Sequence, residues 1–97
     1  MAYGYIIVQV DVQDPAKLED YRALVPATIQ QYGGEYLVRG GAFEKLEGDE
    51  PLGRMVLLRF PSYAQAKAWY DSEEYAGPKA MRHASSRANA VLVEGVE

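Results

Sequence analysis

Alternation of side chains is strongest over Tyr3 to Val12, a stretch rich in Tyr, Ile and Val that predicts a first strand. Ile6, Val8, Val10 and Val12 form one wholly apolar face, while Tyr5, Ile7, Gln9 and Asp11 form a mixed one. Arg54 to Phe60 predicts another strand and repeats the split, with Val56, Leu58 and Phe60 opposite Met55, Leu57 and Arg59. Between these strands Leu18, Tyr21, Val25, Thr28 or Ile29, and Tyr32 recur at helical spacing. Asp14-Pro15 supplies an N-cap with proline at the first helical position, and Gly33-Gly34 supplies the stop. Pro26 predicts a kink near Leu24. Glu35 to Arg39 reads as a strand, Gly40-Gly41 as a bulge or bend, Ala42 to Leu46 as a short extended segment and Glu47 to Gly53 as a polar turn.

The second half follows the same plan. Ser62 caps a helix carrying Ala66, Trp69 and Tyr70, and Ser72 caps again ahead of Glu73-Glu74. Gly77-Pro78 predicts an interruption before a last helical piece to about Ser85, and Ala88 to Val96 closes as a strand. The interval from Asp14 to Ser62 equals that from Tyr21 to Trp69, so strand, cap and aromatic recur in register. Two βαβ halves specify an α+β, ferredoxin-like sandwich with its helices on one face of a mainly antiparallel sheet. The apolar face should carry those helices. The mixed face holds too much apolar area to stay wet, and a second copy in a twofold dimer is its simplest cover. Taking the first and third strands as parallel neighbours sets Asp11 beside Arg59. That pair is either an ion pair within the dimer interface or a charge lining a ligand cavity.

Composition narrows the classes. Ninety-seven residues make one domain, 1–97. Fourteen acidic against ten basic residues, net −4, argue against a nucleic-acid partner. The absence of cysteine excludes disulfides, thiolate metal sites and a cysteine nucleophile. No apolar run approaches the roughly 18 residues that span a bilayer, and the start of the chain lacks a signal-peptide pattern, so no membrane partner and a cytoplasmic location are expected.

The segments YGGEYLVRGG (Tyr32 to Gly41), LEGD (Leu46 to Asp49) and FPSYAQAKAWYDSEEY (Phe60 to Tyr75) together resemble the DUF1330 family of small uncharacterised bacterial proteins. The resemblance implies a ferredoxin-like subunit within the dimeric α/β-barrel superfamily, where two sheets face each other. Relatives across that superfamily include cofactor-free oxygenases, lactone isomerases and haem-degrading enzymes, but the family itself implies no established activity.

Candidate chemistry is sparse. Arg39, beside Gly40-Gly41 and within the RGG segment that the resemblance marks as a signature, is placed to hold a carboxylate or enolate, or else to pair with Glu44 or Glu47. Gln9 and Arg59 on the mixed face are further ligand-binding candidates. Trp69 is a core residue or a ligand platform. Tyr75 lies next to Gly77-Pro78, where its segment is positioned to act as a lid. His83, the only histidine, and Asp11 are weak candidates for moving protons; His83 alone would have to serve as a haem ligand, and no cofactor or metal is expected. The acidic turn Glu47 to Glu50 lacks the spacing of a calcium loop, and the paired glycines match no phosphate loop. The leading expectation is a homodimer binding a small aromatic or acidic organic molecule. The alternatives are a cofactor-independent oxygenase or isomerase, and a structural dimer without a ligand.

Overall fold

The computed structural model describes residues 2–97. Its elements run β1 (Gly4–Val12), α1 (Pro15–Gln31), β2 (Glu35–Arg39), β3 (Arg54–Phe60), α2 (Tyr63–Tyr70), α3 (Glu73–Ser85) and β4 (Ser86–Glu94). The strands form one sheet in the order β2-β3-β1-β4, antiparallel at every described pairing. This is the ferredoxin-like α+β arrangement. The caps are those the sequence announces: Asp14 accepts from the Lys17 amide, Ser62 from Gln65 and Ser72 from Tyr75.

Ile6, Val8 and Val10 of β1 and Leu58 and Phe60 of β3 are buried against Leu18, Val25 and Ile29 of α1, Ala66 and Trp69 of α2, and Tyr75 of α3. Burial of these side chains is the main stabilising contribution, about 1.5–3 kcal/mol for each large one. The other face of the sheet has nothing packed on it in the single chain. There Ile7, Val91 and Val93 are 37%, 57% and 42% exposed.

Several expectations are corrected. β1 and β3 are antiparallel, because β1 and β2 form a split βαβ unit with β3 inserted between them. Arg59 therefore stands opposite Tyr5, and Asp11 stands opposite Arg87 of β4; Asp11 and Arg59 are not neighbours. Arg59 pairs with Glu35 and lies 4.5 Å from the Tyr3 ring centre. Helix α1 runs through Pro26 without a break, and α3 runs through Pro78; the interruption falls earlier, at Asp71-Ser72. Each proline removes a single helical donor, which burial of the apolar stripe outweighs. Residues 42–46 form no strand, since no neighbour offers them a ladder. The β2 irregularity sits between Tyr36 and Val38 and not at Gly40-Gly41.

Candidate functional site

That irregularity decides where Arg39 goes. In a regular strand Tyr36 and Val38 share a face and Arg39 takes the opposite one. Here Tyr36 opposes Leu58, Val38 opposes Leu57 and Arg39 opposes Val56, so Leu37 is the extra residue and Arg39 crosses to the helix-bearing face. Its guanidinium lies 4.5 Å from the Tyr36 ring centre. It also donates to the Arg22 carbonyl over a long 3.4 Å. Pro26 explains why that carbonyl is free: it stands four residues on and has no N–H to give it. Gly40, at φ +72°, completes the turn, and a Cβ there would collide with the Arg54 guanidinium.

Between sheet and helices lies a cavity of about 50 Å³. Apolar side chains of β1, β3 and α1 floor it, and Tyr36, Trp69, Tyr70 and Tyr75 give it aromatic walls. Trp69 and Tyr75 are each 2% exposed, with ring centres 4.1 Å apart. The Trp69 indole N–H donates to Thr28 Oγ1 at 3.0 Å, and Thr28 in turn donates to the Val25 carbonyl at 2.8 Å. Trp69 is thus both core and wall. Tyr75 is fixed inside a continuous helix, which removes the basis for a lid.

Four arginines also line the cavity, Arg22, Arg39, Arg54 and Arg82, and no aspartate or glutamate does. Arg22 has an exposed partner in Glu19 at 3.5 Å. For Arg39, Arg54 and Arg82 there is no carboxylate within ion-pair distance among the described residues. Arg82 is 4% exposed; its Nε donates to the Tyr75 hydroxyl at 3.3 Å, and that hydroxyl lies 2.9 Å from the hydroxyl of Tyr21. Burial, with the neighbouring Tyr75, holds the Tyr21 phenol far above its ordinary range and so protonated. Burial likewise raises Tyr36.

Of the residues singled out from sequence, Arg39, Trp69 and Tyr75 meet at this cavity. Gln9, Arg59 and Asp11 belong to the other sheet face, where Gln9 accepts the Leu52 amide at 3.1 Å. His83 is exposed on α3, its pKa pushed down by what burial it has and by Arg82 and Lys79. Tyr21 reads from sequence as a helix-stripe residue and Arg54 as the start of a strand, and neither they nor Arg22 and Arg82 carry a motif that marks a site. The seven-residue step from Tyr75 to Arg82, two helical turns, was the available signal for the last. A larger hollow of about 300 Å³ lies between α2 and β4, but its one cation, Lys67, is already paired with Asp71 at 2.8 Å. Among the described residues no group of three His, Asp or Glu side chains is placed to hold a metal ion, and no helix is long and apolar enough to cross a membrane.

A four-stranded antiparallel sheet with helices on one face and a charged cavity beneath them defines a ferredoxin-like protein. Solved structures with this fold lie close to it. The protein RPA0582 of Rhodopseudomonas palustris, of unknown function, superposes with a TM-score of 0.79 at 14% identity, over 99% of this chain and 84% of that one. SnoaB of Streptomyces nogalater, a cofactor-independent oxygenase, superposes at 0.65 with 13% identity, over 100% of this chain and 96% of that one. A dimeric ferredoxin-like protein of unknown function from Jannaschia sp. superposes at 0.65 with 15% identity, over 98% of both chains. No curated protein sequence matches. The chain belongs to the DUF1330 family, a domain of unknown function, whose model matches residues 3–96.

Proposed function

We propose that this protein binds a small organic anion, aromatic in part, in the cavity between its sheet and its helices. One observation carries the reading: a chain of net charge −4 places four arginines and no carboxylate around the cavity between its sheet and its helices. Tyr36, Trp69 and Tyr75 add the flat surface that an aromatic ring stacks against. At about 50 Å³ the cavity admits a carboxylate head but not a whole ring. A benzene-sized guest occupies a cavity of about 150 Å³. Arg39, exposed and held by one long hydrogen bond and the Tyr36 face, is the side chain that moves to make room. Trp69, the only tryptophan, reports on occupancy. Titration of its fluorescence with benzoate should saturate at least about tenfold more tightly than with neutral benzamide. Equal responses, or none, would defeat the reading.

The open sheet face is assigned to a second copy of the chain. Tyr5, Ile7, Leu57, Val91 and Val93 form a continuous apolar surface there, supported by the dimeric state of the Jannaschia protein. Light scattering should give a dimer, and Ile7→Lys a monomer of unchanged helix content.

A second reading, cofactor-independent oxygenation, draws on the likeness to SnoaB and on the Tyr21–Tyr75 hydroxyl pair beside the cavity. The protonated phenols then donate hydrogen bonds to an anionic intermediate, while His83 and Asp11 lie off the cavity lining. Oxygen uptake with hydroxylated polycyclic aromatics tests it; a flat electrode trace across such a panel removes it.

A further inference from the structure

We propose that Arg82, and not the exposed Arg39, takes the negative charge of the ligand, and that the group it takes is a flat oxyanion, a carboxylate or an enolate. The inference rests on the cavity being an anion site and adds which atoms read the anion. It follows from counting donors and acceptors. Arg82 offers five N–H groups and no acceptor. Only Nε has a side-chain partner among the described residues, the Tyr75 hydroxyl. Among the described residues no fully enclosed side-chain nitrogen or oxygen lacks a partner, so the terminal nitrogens of this 4% exposed residue retain open access, and the space Arg82 lines is the cavity.

The two phenols add to the surplus. Tyr21 and Tyr75 bring two protons and share one hydrogen bond. If Tyr21 donates to Tyr75, the Tyr75 proton is left over; if Tyr75 donates, the Tyr21 proton is. In either arrangement the network ends with an O–H and the guanidinium terminus without a side-chain partner among the described residues, beside a lining that is mostly apolar or aromatic. Donors left to water at the edge of a largely apolar cavity are open to an oxygen anion, which satisfies them together. With Nε occupied, what remains of the guanidinium is its planar pair of terminal nitrogens. That fork matches two coplanar oxygens, as in a carboxylate, or the single oxygen of an enolate flanked by the phenol. Arg39, by contrast, already spends a donor on the Arg22 carbonyl and lies over Tyr36 at the exposed end of β2, a position suited to admitting the ligand.

The test uses the full chain, Trp69 fluorescence, and benzoate, benzamide and phenyl phosphate as probes. Arg82→Met should weaken benzoate by about thirtyfold, the loss expected for hydrogen bonds to a charged group, and leave benzamide unchanged. Arg82→Lys, which keeps the charge and loses the fork, should recover part of the benzoate affinity. Arg39→Leu should weaken benzoate by no more than about fivefold. Phenyl phosphate should bind less tightly than benzoate to the unaltered protein. Should Arg82→Met prove misfolded by circular dichroism, Arg82→Lys and Tyr75→Phe carry the comparison, each expected to narrow the benzoate–benzamide gap. Undiminished benzoate binding in the Arg82 variants, or a larger loss in Arg39→Leu, overturns the assignment while the anion cavity stands. Preference for the phosphate overturns the flat-oxyanion part. Failure of the unaltered protein to prefer benzoate over benzamide brings down the parent reading as well.

Discussion

The two faces of the sheet treat arginine in opposite ways. On the open face Arg59 has its charge answered by Glu35 and its flat side covered by Tyr3. On the helix-bearing face Arg82 is far more deeply buried, yet it meets only a phenol, while Arg39 meets an aromatic ring and a carbonyl. Stability alone would favour the reverse, with the buried charge neutralised and the exposed one left to water. A cation kept without a carboxylate where desolvation is costly is the contrast on which the proposed anion site rests. The apolar side chains show a parallel contrast. Val8 and its face-mates are covered by helices, whereas Ile7, Val91 and Val93 present a similar surface with nothing of this chain over it.

The contrast can be broken most forcefully at β1. Val8→Asp places a carboxylate in the core and should cost more than about 4 kcal/mol, abolishing the cooperative thermal transition. Ile7→Asp, one residue away on the other face, should leave that transition in place and change only the mass seen by light scattering. Equal collapse of both variants would mean that the faces do not differ as described. Next in size is Thr28→Val, which strips the Trp69 indole of its acceptor within the core and should cost about 1–3 kcal/mol by denaturant titration. A smaller effect of opposite sign is expected for Arg82→Met without ligand, a gain of about 1 kcal/mol as a buried, incompletely partnered cation gives way to an apolar chain. Glu35→Gln in the same assay should scarcely move the melting temperature, since the pair it breaks is solvated.

The least effect concerns acid. The Glu74 carboxyl is held below the usual carboxylate range by its own backbone N–H, by the Tyr32 hydroxyl at 2.8 Å and by Gln31. A lowered folded-state value means the contribution is present at neutral pH and disappears as pH falls through that value. Glu74→Gln should therefore flatten the acid limb of stability slightly, and the alkaline limb as well, because the same hydrogen bond holds the Tyr32 phenol above its ordinary range and its contribution is lost as pH rises through that value.

Most of the fold was legible because each of its determinants is local. The alternation in β1 and β3, the Asp14, Ser62 and Ser72 caps and the glycine stop after α1 each act within a few residues. Strand direction was misjudged because the equal spacing of the two halves says that β1 and β3 are equivalent, not which way they run beside each other. The prolines misled because sequence registers the lost hydrogen bond and not the buried stripe that outweighs it. For the site, Arg39, Trp69 and Tyr75 were found by residue type. The face of Arg39 depended on a one-residue bulge at Leu37 that no turn residue marks. Arg82 escaped because an arginine among alanines and serines reads as a solvated helix position. Only its phase with Tyr75 says otherwise.

The pairing of Pro26 with Arg39 has a mechanical consequence. Helix α1 carries one carbonyl that no later residue of the helix can serve, and the donor it receives comes from the end of a strand, through a side chain that reaches it at 3.4 Å. Helix and sheet are stitched together here by a long, exposed contact, whereas elsewhere buried apolar packing joins them. The seam is therefore weakest at the charged mouth of the cavity. Any rotation of Arg39 away from α1 would strip the middle of that helix of its borrowed donor, so the side chain that borders the cavity is also a fastener of the helix above it.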